Sequence, residues 1–375
     1  PFLFITIACG AVSGFHALIS SGTTPKMLAN ESQACFIGYG GMLMESFVAI
    51  MALVAACIID PGVYFAMNSP MAVLAPAGTT DVVASAAQVV SGWGFSITPD
   101  TLHQIASEVG EQSIISRAGG APTLAVGMAY ILHGSLGGLM DVSFWYHFAI
   151  LFEALFILTA VDAGTRAARF MLQDLLGVIS PGLKKTSSLP ANLLATALCV
   201  LAWGYFLHQG VVDPLGGINT LWPLFGIANQ MLAGMALMLC AVVLFKMKRQ
   251  RYAWVALLPT SWLLICTLTA GWQKSFSPDT KVGFLAIANK FQAMIDSGNI
   301  PPQYTESQLA QLVFNNRLDA GLTIFFMIVV VVLALFSIKT ALAALKEDKP
   351  TAKETPYEPM PENLDAIETQ AKGAH

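Results

Sequence analysis

Phe4-Ile-Thr-Ile-Ala-Cys-Gly-Ala-Val-Ser-Gly-Phe-His-Ala-Leu-Ile-Ser-Ser-Gly-Thr-Thr-Pro-Lys26 is apolar enough to cross a bilayer, yet Gly10, Ser13 and Gly14 interrupt its middle. A membrane-spanning helix needs roughly 20 predominantly apolar residues, and residues 2–21 supply them. Glycines clustered with a serine at mid-depth fit a helix that breaks and frees backbone groups toward a cavity. In that arrangement Ser13 N-caps a second half-helix starting at Gly14. The N–H groups of Phe15 and His16 then present partial positive charge suited to a carboxylate. The alternative is one continuous helix whose glycines permit close packing. His16 either donates to a substrate oxygen or carries a proton, or it is a hydrogen-bonded histidine between helices.

Moving outward, six more segments have the length and apolarity of spans, near 39–59, 144–162, 191–211, 220–245, 253–272 and 319–342. The chain has 375 residues, 55% hydrophobic and 11% charged. Soluble domains carry about 25% charged residues, so this chain has too little charge to face water. It reads as an all-α polytopic membrane protein with seven transmembrane helices. The glycine-rich stretch 123–140 is expected as a re-entrant or surface helix. Lys26, then Arg166, Arg169, Lys184 and Lys185, then Lys246, Lys248, Arg249 and Arg251, then Lys339, Lys346, Lys349 and Lys353 fall on one side if seven helices span. By the positive-inside rule that side is cytoplasmic. Segments 61–142 and 273–318 then lie outside, with amphipathic helices expected at 81–90 and 101–115. Residues 164–177 extend the third helix inward.

The transmembrane region is expected over 1–345 and a disordered cytoplasmic tail over 346–375, which holds seven acidic and four basic residues. Acids and bases nearly balance elsewhere, so no basic field points to nucleic acid. The opening at Pro1, inside an apolar run, reads as the interior of a longer protein. Six cysteines without a C-x-x-C pair read as small buried hydrophobes, not metal ligands.

Polar residues at membrane depth are the functional candidates. Glu153 lies mid-span, where an ionised carboxylate costs about 3 kcal/mol on insertion scales; it is a candidate proton carrier. Glu45 is a weaker one. Asp162 and Thr165 sit at the inner end of the third span beside Arg166, where Asp162 could simply pair with a basic residue. Glu153 and Asp162, nine residues apart, occupy opposite helix faces. Asn229 is a candidate substrate contact, although amides such as Asn229 and Gln230 often join helices instead. No G-x-S-x-G, H-E-x-x-H or Walker A sequence is present, so neither enzyme chemistry nor a cofactor nor ATP drive is expected.

The Ile5–Lys26 stretch, Ser32–Cys35, Tyr39-Gly-Gly-Met-Leu-Met-Glu45-Ser-Phe, Phe156–Arg166 and Leu221–Gln230 closely resemble the carbon starvation protein A family. The resemblance implies a C-terminal half of a transporter with two inverted five-helix repeats, similar to amino acid–polyamine–organocation (LeuT-like) carriers. The first helix here would be the broken helix of the second repeat, and 61–142 a re-entrant outer hairpin. Thr159, Asp162 and Thr165 would fall where sodium-driven relatives hold their coupling ion. The implied activity is proton-coupled import of pyruvate or small peptides at a bacterial inner membrane, with the N-terminal half, the bilayer, substrate and protons (or sodium) as partners. A membrane sensor signalling through the tail is the alternative.

Overall fold

The computed structural model describes residues 2–75, 79–117, 119–212, 217–301, 304–353 and 356. Fifteen α-helices occur among them: α1 (Phe2–Ala11), α2 (Gly14–Gly22), α3 (Thr24–Met27), α4 (Ser32–Ile58), α5 (Pro61–Asn68), α6 (Met71–Leu74), α7 (Val82–Gly92), α8 (Pro99–Val109), α9 (Gly120–Ser135), α10 (Val142–Ile179), α11 (Leu189–Val212), α12 (Gly217–Lys246), α13 (Trp254–Phe276), α14 (Phe284–Asp296) and α15 (Glu306–Lys346). No strand occurs among the described residues. Among the described residues six helices, α4, α10, α11, α12, α13 and α15, are long and apolar enough to cross a membrane. They leave large side chains such as Phe36, Phe47, Leu155 and Phe336 more than half exposed, a surface that lipid can solvate and water cannot. The chain is a multi-pass membrane protein.

Six of the seven expected spans are long continuous helices, and the seventh, 2–21, folds as two short helices, α1 and α2. The last span is longer than hydropathy suggested. It starts at Glu306, where Thr305 and Gln308 form a capping box, so the expected outer segment 273–318 contains the first turns of α15 as well as α14. The expected helix 101–115 stops at Val109 because Gly110 adopts φ +79° and ends it. The tail beyond Lys353 lies outside the described residues, except for Pro356.

The chain divides into two compact units. One is built from residues 29–162. Its short helices are set by local caps: Asp60 accepts from the N–H groups of Gly62 and Val63, and Asp81 from those of Val83 and Ala84. They enclose a core of Val63, Met67, Leu74, Val90, Leu102 and Val126. α9 spans 16 residues, too short to cross alone, and lies against α4. Gly127 permits this, since a Cβ there would fall 2.2 Å from the Ala55 carbonyl oxygen.

The other unit comprises 1–28 with 163–357. Its centre is α12, which packs against α1, α2, α11, α13 and α15. Ile5, Ile227, Met231, Met238, Ala270 and Val330 are buried in its core. α13 and α15 close at Gly271, where a Cβ would meet Met327 Sδ at 2.9 Å and Thr323 Cγ2 at 3.3 Å.

Within the 29–162 unit, Tyr130 on α9 donates a hydrogen bond to the Glu108 carboxylate on α8. That bond, with a second from Gln104, holds the Glu108 carboxyl below the ordinary carboxylate range, and burial pushes the Tyr130 phenol upward. A depressed carboxyl contributes stability above its unfolded pKa, and that contribution is lost as pH falls through the lower folded value. Tyr130→Phe is therefore expected to cost about 1 kcal/mol at neutral pH and less in acid. Thermal unfolding of the purified protein across the carboxylate range checks this; a pH-independent cost would contradict it.

Candidate functional site

The break between α1 and α2 falls at Val12 and Ser13, with Ser13 extended at φ −107° and ψ 119°. The half-helix reading is correct, but its cap is not the expected one. The Ser13 side chain makes no capping bond to α2. Its hydroxyl instead donates to Asn229 Oδ1 at 3.3 Å, and the same oxygen accepts the Phe15 N–H at 2.9 Å. Asn229, 3% exposed, thus serves α2 as an N-cap delivered from another helix. On the other side of the break, Gln230 Nε2 donates to the Val12 carbonyl at 2.6 Å.

Ser13 has the extended backbone usual for an N-cap, but its hydroxyl is engaged by Asn229 Oδ1 instead. With α12 this close, Asn229 fills the position that a local cap would take. The approach depends on Gly14, which is buried: a Cβ there would lie 2.3 Å from the Asn229 carbonyl oxygen and from Leu232 Cβ. Ile5 fills the matching place on α1, with Cγ2 3.0 Å from where a Cβ on Gly226 would sit. Phe15 lies across Gly164 on α10, whose Cβ would be 2.9 Å from the ring. At the base of this arm Lys26 Nζ stands 4.1 Å over the Phe170 ring.

Ser13, Gly14, Phe15 and Asn229 are therefore brought together. His16, exposed on α2, has its ring against that of Phe15. Thr165 belongs to the same unit on α10. Glu45, Glu153, Thr159 and Asp162 belong to the 29–162 unit. There Glu153 is half-buried on α10, Glu45 is exposed on α4, and the Thr159 hydroxyl bonds back to the Phe156 carbonyl at 2.7 Å.

Gln230 is fully buried, and its Oε1 has no hydrogen-bond partner among the described residues. Its amide orientation is fixed by the Val12 carbonyl, which needs the donor end. An acceptor is thus left at the break. Asp319 was not among the sequence candidates. It is 2% exposed on α15, in line with the buried Asn315, Asn316 and Thr323. The signal was legible in Asn-Asn-Arg-Leu-Asp at 315–319, but a hydropathy window places that run at the end of a span. No cluster of three or more metal-ligating side chains occurs among the described residues.

The family resemblance implied a broken first helix, and the chain has one between α1 and α2. The family model for carbon starvation protein CstA matches residues 1–270. The chain belongs to the CstA family. It is 94% identical over 375 residues to the peptide transporter CstA of Escherichia coli, covering 100% of this chain and 54% of that protein. It is 58% identical over 380 residues to the pyruvate/proton symporter BtsT of E. coli, covering 96% and 53%. It is 51% identical over 362 residues to a Helicobacter pylori peptide transporter CstA, covering 95% and 52%. The chain spans about half the length of the curated relatives it matches. No solved structure matches it.

Two substitutions test the CstA-family break. Gly14→Ala forces α2 away from α12 and is expected to cost at least about 2 kcal/mol. Asn229→Leu strands the Phe15 N–H and should cost about 1–2 kcal/mol. Because Gly14→Ala already separates the Phe15–Asn229 pair, the double variant should lose less than the sum. Thermal unfolding in detergent reads all three; strict additivity would mean that the two contacts are independent.

Proposed function

We propose that this chain is the C-terminal part of a secondary active transporter that imports pyruvate or small peptides by proton symport. The observation that carries the reading is the break between α1 and α2, a polar discontinuity in a chain of the CstA family. Its relatives are named as a peptide transporter and a pyruvate/proton symporter. Such a break places partial positive charge at the start of α2 and partial negative charge at the end of α1. A carboxylate suits the first. The vacant acceptor of Gln230 suits a donor group at the second.

In this reading Ser13, Gly14, Phe15, His16 and Asn229 contact substrate, with Asn229 also holding α2 in place. Glu153 carries the coupled proton; Glu45, Thr159, Asp162 and Thr165 are further coupling candidates, and sodium is the other possible ion. The N-terminal part of the protein supplies an inverted repeat and completes the site. The membrane is the bacterial inner membrane, with the C-terminus in the cytoplasm. The basic residues support this orientation, because the ends of α12 and α15 meet where Lys248 Nζ donates to the Ala344 carbonyl at 2.7 Å.

The test is uptake of labelled pyruvate and labelled dipeptide by the full-length protein in proteoliposomes under an imposed inward proton gradient. Gradient-dependent accumulation of either, abolished by an uncoupler, is expected. Glu153→Gln should abolish accumulation against the gradient while leaving substrate exchange. Accumulation unchanged in Glu153→Gln would remove Glu153 from the coupling step.

A further inference from the structure

The ends of α12, α13 and α15 enclose an apolar groove of about 300 Å³, walled by Phe245, Leu257, Leu264, Ser337, Ala341 and Leu345. Two hydroxyls on its wall are turned back into their own helix. Thr260 Oγ1 donates to the Ala256 carbonyl at 2.7 Å, and Ser261 Oγ to the Leu257 carbonyl at 2.8 Å. Those side chains offer little polarity to an occupant, which must be hydrocarbon.

The groove ends at a charged rim. Phe245 is followed by Lys246, and Leu345 by Lys346. The connection 246–253 holds Lys246, Lys248, Arg249 and Arg251. Residues 346–353 add Lys346, Lys349 and Lys353, against Glu347 and Asp348. Seven basic residues thus face two acidic ones across these two segments. The segments are tied together, since the Thr351 N–H donates to the Lys246 carbonyl at 3.0 Å and Lys248 Nζ donates to the Ala344 carbonyl. Tyr252 and Trp254, 56% and 65% exposed, stand beside the rim as aromatic side chains do at a membrane–water boundary.

We propose that this groove binds one acyl chain of an anionic phospholipid, with the lipid phosphate held at the basic rim. Basic pockets between membrane helices on the inner face attract anionic headgroups, each Lys or Arg strengthening the attraction. The apolar wall alone would accept any lipid chain; the charge selects the headgroup. The site does not depend on the transport reading, because it lies on three helices of one unit and its readout is binding.

The experiment uses full-length protein in detergent, washed free of lipid and titrated with phosphatidylglycerol or phosphatidylcholine, with bound lipid counted by native mass spectrometry. One phosphatidylglycerol should bind at least about tenfold more tightly than phosphatidylcholine, and raised salt should erase the difference. Lys246→Gln with Arg251→Gln should lose that preference; Lys248 is left intact because it holds the end of α15. Ser337→Phe with Ala341→Phe fills the groove and should remove binding of both lipids. Equal, salt-insensitive binding of the two lipids by the unsubstituted protein would overturn the proposal. So would phosphatidylglycerol binding unchanged by either pair of substitutions in proteins with unchanged thermal unfolding.

Discussion

A helix that stops in the middle of a membrane protein leaves N–H and C=O groups that lipid cannot satisfy. Two adjacent amides on α12 resolve this here. Asn229 Oδ1 accepts a hydrogen bond from the Phe15 N–H, and Gln230 Nε2 donates one to the Val12 carbonyl. One amide serves the start of α2 and the other the end of α1. Much else in that unit follows from the pairing. α12 must run directly beside the break, Gly14 must lack a side chain, and Ile5 must seat on Gly226. The polar residues at the break are therefore structural whatever else they do.

The same solvent logic shapes the rest. The long helices turn apolar side chains outward, and buried polar groups are dealt with inside the helices or between them. Thr267 and Thr323 bond back to the carbonyls of Leu263 and Asp319. Gln173 on α10 reaches Asn192 at 2.7 Å, near the start of α11. In the 29–162 unit, short capped helices with alanine and glycine contacts do what long apolar spans do elsewhere. α9 is the plainest case, since its backbone rests on α4 through Gly127.

Apolarity and length made most of the long helices legible in the sequence, because the bilayer dictates both. The break was legible too, since Gly10, Ser13 and Gly14 interrupt an otherwise apolar run. What could not be read was the partner. Ser13 looks like a cap by its neighbours in sequence, whereas the cap that forms comes from a residue 214 positions from Phe15. Asn229 and Gln230 were visible as helix glue or as substrate contacts, and their burial at the break shows that at least the first description is right. Ends of helices were hidden for simpler reasons. Glu306 and Arg317 made the start of α15 look like loop, and Asp319 escaped notice by lying at that apparent edge. Gly110 could have ended α8 on paper, because a glycine is the residue that turns left-handed there at little cost.

Gln230 immediately follows Asn229, so the two grips on α12 lie about 100° apart around its axis. One holds α1 and the other α2. The two halves of the broken helix are thus joined through a third helix, acting as an axle, as well as through Val12 and Ser13. Swinging one half alone would twist this axle against the other. Turning α12 would carry both halves together, so any hinge at the break also steers α12 and the helices packed on it.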